Sequence, residues 1–225
     1  IECKEGGVQS SAQKPIEFVQ LAALAFPSDP PLFAFVPDPA AVEQQKIITG
    51  LNGALRKEYG VELHVRMGLN SGMVTAGNMG SERKFQFTVM GDTVNLASRL
   101  EPVNKDFETQ IIISDTTRGK LGDEFVTRAL GRIVVIGKRE IVDIYELVGL
   151  KAEVASDRIE VLRLYESALE RFYARDWNTC LSILDRVDPG RADGPSRHLR
   201  KLSLEYREKA PPASWGGEYV RASKL

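Results

Sequence analysis

Apolar residues in this chain keep two different periods, and the places where the period changes restrict the folds it can adopt. Val61, Leu63, Val65, Met67 and Leu69 alternate with Glu62, His64 and Arg66. A period of two sends successive side chains to opposite faces, so this run predicts a half-buried strand. Just before it, Val42, Ile47, Ile48, Leu51, Ala54 and Leu55 recur at helical spacing. Asp38-Pro39 supplies an N-cap and a first-turn proline for that helix, and Gly60 supplies its stop.

Further strands follow. Asn70-Ser71-Gly72 predicts a turn, and residues 73–76 a second strand. Residues 77–84 read as a loop, and Phe85, Phe87 and Val89 as a third alternating strand. Gly91-Asp92 breaks that strand and opens a helix over residues 93–104, with Asp92 as its cap. Residues 111–113 predict a short buried strand, residues 116–121 a short helix, and residues 125–136 and 141–147 two final strands. The order α-β-β-β-α-β-α-β-β fits an α+β sandwich with helices on one face. Residues 1–38 are broken by Pro27, Pro30, Pro31 and Pro37 and predict no defined element.

From Ser156 the helical period takes over. Val161, Leu164, Tyr165, Ala168, Leu169 and Phe172 form one stripe; Trp177, Leu181, Leu184 and Val187 form a second; Leu199, Leu202 and Tyr206 mark a third helix after Gly194-Pro195. The pairing resembles a tetratricopeptide-like unit. It amounts to little more than one repeat, so the tail is expected to pack as an appendage rather than stand as a solenoid. The expected division is therefore an ill-defined segment 1–38, an α+β domain 39–149 and an all-α tail 156–225.

Composition narrows the function classes. A chain of 225 residues with 30 basic and 31 acidic side chains is near neutral, which gives no support for a nucleic-acid partner. Cys3 and Cys180 make neither a disulfide framework nor a zinc motif, and a reducing cytoplasmic setting fits them. His64 and His198 are isolated in sequence, whereas a zinc site needs three or four ligands. The apolar stretch 16–26 contains Glu17 and Gln20 and falls far short of the roughly 20 apolar residues of a spanning helix. Membrane attachment is expected only through an anchor upstream of residue 1.

The residues that point to chemistry lie between Gly68 and Leu100. Asn95 and Arg99 are four apart, so both project from one side of the helix that opens at Gly91-Asp92. An amide and a guanidinium near a helix start suit a phosphate group. The runs Gly68-Leu69-Asn70-Ser71-Gly72, Gly77-Asn78-Met79-Gly80 and Phe87-Thr88-Val89-Met90-Gly91-Asp92-Thr93-Val94-Asn95-Leu96-Ala97-Ser98-Arg99-Leu100 resemble the hairpin and following helix of class III adenylate and guanylate cyclases. The resemblance covers about residues 50–147 and is densest over 72–101.

That resemblance implies a ferredoxin-like α+β core paired head to tail with a second cyclase domain, either another copy or a relative. It implies ATP as substrate, cyclic AMP and pyrophosphate as products, and Mg2+ or Mn2+ held by two aspartates. Asn95 matches the asparagine that orients the ribose, and Arg99 the arginine that stabilises the pentacovalent transition state. Thr88 sits where the family faces the purine, and Lys138 matches a lysine on the substrate phosphates; Ile136 stands where a second lysine is common. The family's first metal aspartate belongs to a Phe-x-Asp-Ile pattern that this chain lacks. The nearest match to the second, Asp29 in Ser28-Asp29-Pro30-Pro31, lacks the flanking glycine and lysine, so no metal ligand is assigned. Arg175-Asp176-Trp177 and Pro211-Pro212-Ala213-Ser214-Trp215-Gly216-Gly217 resemble the region behind the cyclase domain of bacterial membrane-anchored sensor cyclases. Two readings stay open: a partial or diverged adenylate cyclase domain, inactive by itself, and a non-catalytic cyclase-like module that binds nucleotide or a partner.

Overall fold

The computed structural model describes residues 14–25, 32–35, 38–81, 84–134 and 141–219. Among the described residues eight strands share one sheet: β1 (Lys14–Ala25), β2 (Leu32–Phe35), β3 (Arg66–Ser81), β4 (Lys84–Met90), β5 (Ile111–Ser114), β6 (Phe125–Val134), β7 (Ile141–Leu150) and β8 (Glu218–Tyr219). Their order is β2-β1-β3-β5-β7-β6-β8, with β4 hairpinned onto the far half of β3. β3 and β5 run parallel, as do β6 and β8; the other pairs are antiparallel. The helices are α1 (Asp38–Tyr59), α2 (Asp92–Leu100), α3 (Asn104–Phe107), α4 (Asp115–Arg118), α5 (Ser156–Tyr173), α6 (Trp177–Val187) and α7 (Gly194–Glu208).

Helices cover both faces of the sheet, not one. Ile111 and Ile113 of β5 pack with Met67, Leu69 and α1 residues Ala41 and Val42. Ile112, which alternation turns to the other face, packs with Leu100, Val103 and Phe107 around α2 and α3. All four residues of β5 are buried, because the strand lies inside the sheet with both faces covered.

Several local expectations change. Two strands, β1 and β2, occupy part of the segment that predicts no element. The turn at Asn70-Ser71-Gly72 does not form: β3 runs straight through it, paired with β1 at Gly72↔Val19 and Asn70↔Leu21. The strand expected from Val61 starts only at Arg66, as β3, because α1 side chains take the preceding backbone. Asn52 bonds both the Leu63 N–H (2.8 Å) and the Leu63 carbonyl (2.9 Å), and Gln45 Nε2 donates to the Val65 carbonyl (2.7 Å). The helix after Gly91 ends at Leu100; a 3-10 turn over Glu101–Val103, with Pro102 inside it, bends the chain into α3. Gly60 ends α1 as expected, in the left-handed region at φ 68°.

The glycines of β3 have a packing role. A Cβ on Gly68 would lie 2.4 Å from the Glu101 nitrogen and 2.5 Å from the Ala97 carbonyl oxygen, so α2 can cross β3 there only over a bare backbone.

The tail helices share one core, Tyr165, Ala168, Leu169, Phe172, Cys180, Leu184, Val187 and Leu199. Phe172, Trp177, Tyr206 and Trp215 pack ring against ring at its end, with centroids 5.2–5.9 Å apart. The tail then returns to the sheet, where β8 pairs Arg132↔Glu218 and Ile133↔Tyr219. A buried charge cluster joins the two parts more deeply. Arg128 of β6, 1% exposed, donates to Glu146 of β7 (2.8 Å from Nε) and to both oxygens of Asp193 (3.0 and 2.8 Å), the residue that caps α7.

Candidate functional site

α2 is placed from three sides. Gly91, at φ 147°, makes the sharp exit from β4 that lets the helix fold back over β3. Val94, Ala97 and Leu100 turn inward and bury against Val74 and the second core cluster. Asn95 and Arg99 lie on the side away from those residues: Asn95 is exposed and Arg99 half-buried. Among the described residues neither side chain has a hydrogen bond or ion pair, so the amide and the guanidinium are both available to a ligand. Asp92 does not cap the helix. Gly91 holds the cap position without a side-chain bond, and Asp92 is the first helical residue, where a carboxylate favours the helix dipole.

Beneath the helix is a polar group that the sequence does not announce. Asn70 of β3 is 4% exposed. Its Nδ2 donates to the Thr93 carbonyl of α2 (3.1 Å), and its Oδ1 accepts from Ser114 Oγ (2.7 Å) and Thr116 Oγ1 (2.9 Å). Ser71 and Thr117 hydroxyls pair alongside at 3.1 Å, and Ser114 caps α4 through the Thr117 N–H. Thr93 Oγ1 also donates to the Met73 carbonyl (2.9 Å). Read from sequence, Asn70 is a turn residue; its signal is an amide placed between two glycines of what proves to be an unbroken strand.

Thr88 lies on β4 opposite Gly77, four residues before α2 begins, so the hairpin delivers it to the same end of the sheet. Lys138 and Asp29 lie outside the described residues, so only Thr88, Asn95 and Arg99 are placed here. Met73 and Met90 are each 52% exposed, and the Met73 carbonyl accepts from Thr93 in the first turn of α2. The described residues bring no three His, Cys, Asp or Glu side chains together as a metal site. They also contain no helix long and apolar enough to cross a membrane. His64 is exposed, 3.5 Å from Glu62. His198 instead packs tilted against Phe107 (4.3 Å) and edge-on to Tyr219 (4.7 Å), where burial pushes its pKa down to about 4.

The sequence model described as the adenylate and guanylate cyclase catalytic domain matches residues 41–149, the span that contains this helix and its hairpin. Residues 41–149 are thus similar to that family's catalytic domain. Adenylate cyclase 1 of Rhizobium meliloti (strain 1021) is 37% identical over 110 residues, which is 49% of this chain and 16% of that protein. An adenylate cyclase of Mycobacterium tuberculosis (strain ATCC 25618 / H37Rv) is 40% identical over 114 residues, 51% of this chain and 24% of that protein. The chain thus spans less than a quarter of each of these cyclases. The crystal structure of the adenylyl cyclase CyaB from P. aeruginosa superposes on 64% of this chain and all of that one, with a TM-score of 0.52 at 20% identity, which shows a shared α+β fold.

Proposed function

We propose that this chain carries one half of an adenylate cyclase site, the half that binds the ribose and α-phosphate, and forms cyclic AMP and pyrophosphate from ATP when a second cyclase domain completes it. The observation that carries the reading is the pair Asn95 and Arg99, held on the outward side of a helix whose family match spans 41–149 and left without partners among the described residues. In the reaction the ribose 3′-hydroxyl attacks the α-phosphorus and the bond to the pyrophosphate oxygen breaks. Arg99 brings a permanent positive charge and a forked set of N–H donors to the equatorial oxygens as charge builds there. Asn95 can accept from and donate to the ribose, fixing the angle of attack. Thr88 supplies a hydroxyl toward the purine, and Lys138 a cation toward the phosphates.

Mg2+ or Mn2+, if bound at the completed site, would supply activation of the nucleophile and neutralisation of phosphate charge. The described residues of this chain bring no ligand set together, and the ligands are expected from the partner. Head-to-tail pairing supplies that arrangement. We assign residues 39–149 to the cyclase domain, with β1 and β2 of the segment 1–38 extending its sheet, and residues 156–225 to a helical unit that braces it, the whole acting in the cytoplasm.

Complementation tests the proposal. The 225-residue chain is mixed with a related cyclase domain whose own Asn and Arg are replaced, so that neither is active alone. Recovered cyclic AMP synthesis supports the reading. A mixture that associates yet stays silent removes it and favours the non-catalytic module.

A further inference from the structure

We propose that Asn70 is a positioning residue, which sets the place of α2 along β3 and so the reach of Asn95 and Arg99; the functional half of this inference rests on the proposed cyclase reading. The chemistry fixes which way the Asn70 amide points. The Thr93 carbonyl can only accept, so it must face Nδ2 (3.1 Å); the hydroxyls of Ser114 (2.7 Å) and Thr116 (2.9 Å) can donate, so they face Oδ1. One buried side chain thereby ties three elements together: β3, the β5–α4 junction and the first turn of α2.

The tie acts where leverage on the site is greatest. Thr93 is the second residue of α2, two before Asn95 and six before Arg99. It is held twice, by Asn70 through its carbonyl and by the Met73 carbonyl through its hydroxyl (2.9 Å). The glycines on either side make room for this grip. A Cβ on Gly72 would lie 2.6 Å from Thr93 Oγ1, and one on Gly68 would meet the far end of the helix at Ala97 and Glu101. The apolar contacts of Val94, Ala97 and Leu100 hold the helix against the sheet, but apolar packing is non-directional. Two directional bonds at one end decide where along β3 it sits. A transition-state contact is sensitive to displacements of an ångström, so a slip of α2 would cost turnover before it cost ground-state binding.

Two substitutions separate positioning from plain stability. Asn70→Asp keeps the acceptor for Ser114 and Thr116 but cannot donate to Thr93. Ser114→Ala removes one hydroxyl and the cap of α4 but leaves the Asn70–Thr93 bond. Amide hydrogen exchange is followed in the full 225-residue chain for α2 and, as an internal reference, for α5. Asn70→Asp is expected to speed exchange in the first turns of α2 about tenfold with α5 unchanged, whereas Ser114→Ala leaves α2 as it was. Asn70→Ala, which removes the donor without adding charge, is the second variant and has the same expected result if Asn70→Asp does not fold. In the complemented mixture Asn70→Asp lowers kcat about tenfold or more with KM within about threefold, and Ser114→Ala spares kcat. Equal acceleration in α2 and α5, unchanged exchange in α2, or a loosened α2 with full turnover each overturns the proposal. If the unsubstituted mixture is silent, the cyclase reading falls, while the exchange comparison still decides whether Asn70 places α2.

Discussion

Replacing Arg128 by Met should show that the helical tail and the sheet are one cooperative structure. The guanidinium is 1% exposed and is held by Glu146 and Asp193, whose side chains are 16% and 12% exposed. Methionine keeps most of the stem but removes the charge, leaving the Glu146 and Asp193 carboxylates with, among the described residues, Arg158 at 3.3 Å from Asp193 to offset them. Removing one partner of a buried ion pair costs about 3–5 kcal/mol. At roughly 2–4 °C per kcal/mol for a chain of this size, the midpoint should fall by roughly 6–20 °C in calorimetry at neutral pH. The pH dependence carries a second signature. Beside Arg128 and under the Ser196 N–H and hydroxyl, the Asp193 carboxyl is held down from 3.8 to about 2. A depressed folded pKa stabilises the fold above the ordinary carboxylate range, and that contribution is lost as pH falls through about 2. Arg128→Met should therefore reduce the acid sensitivity between about pH 4 and pH 2 as well as the midpoint at neutrality. A midpoint within about 2 °C of the parent, or two separate transitions already present in the parent, would refute the reasoning.

His198 should produce its own acid step: burial lowers its pKa from 6.5 to about 4, so the neutral ring is the stable folded form and stability falls as pH drops from about 6.5 toward 4. His198→Phe, which can keep the packing against Phe107, should flatten that part of an acid-unfolding curve, and an unchanged slope would show that another group titrates there. Gly68→Ala should cost about 1–3 kcal/mol in urea unfolding, because the new Cβ would lie 2.4 Å from the Glu101 backbone, and a neutral result would mean that α2 does not press on β3.

How much of this was legible in the sequence follows from what each pattern encodes. The period-3.6 stripe of α1, the buried run of β5 and the tail stripes gave their elements directly, because burial on one face or on both leaves a period. Asn70-Ser71-Gly72 misled, since these residues are turn formers by local chemistry while their use here is set by a helix lying across the strand. The strand signal of residues 61–65 was real as an apolar pattern, but Asn52 and Gln45 claim that backbone. Arg128 and Asp193 are 65 residues apart, and nothing local marks them as partners. Within the candidate site, the shared side of α2 on which Asn95 and Arg99 lie was readable from their spacing of four. Asn70 was not, because a buried hydrogen-bond hub is defined by what folds onto it.

The most direct measurement of the central claim is the turnover of the complemented pair with Arg99→Ala in this chain. If the guanidinium meets charge that builds only in the transition state, kcat should fall about a hundredfold or more while KM changes by less than about threefold. A raised KM with kcat intact, or full activity, would contradict the placement of Arg99 at the reacting phosphate.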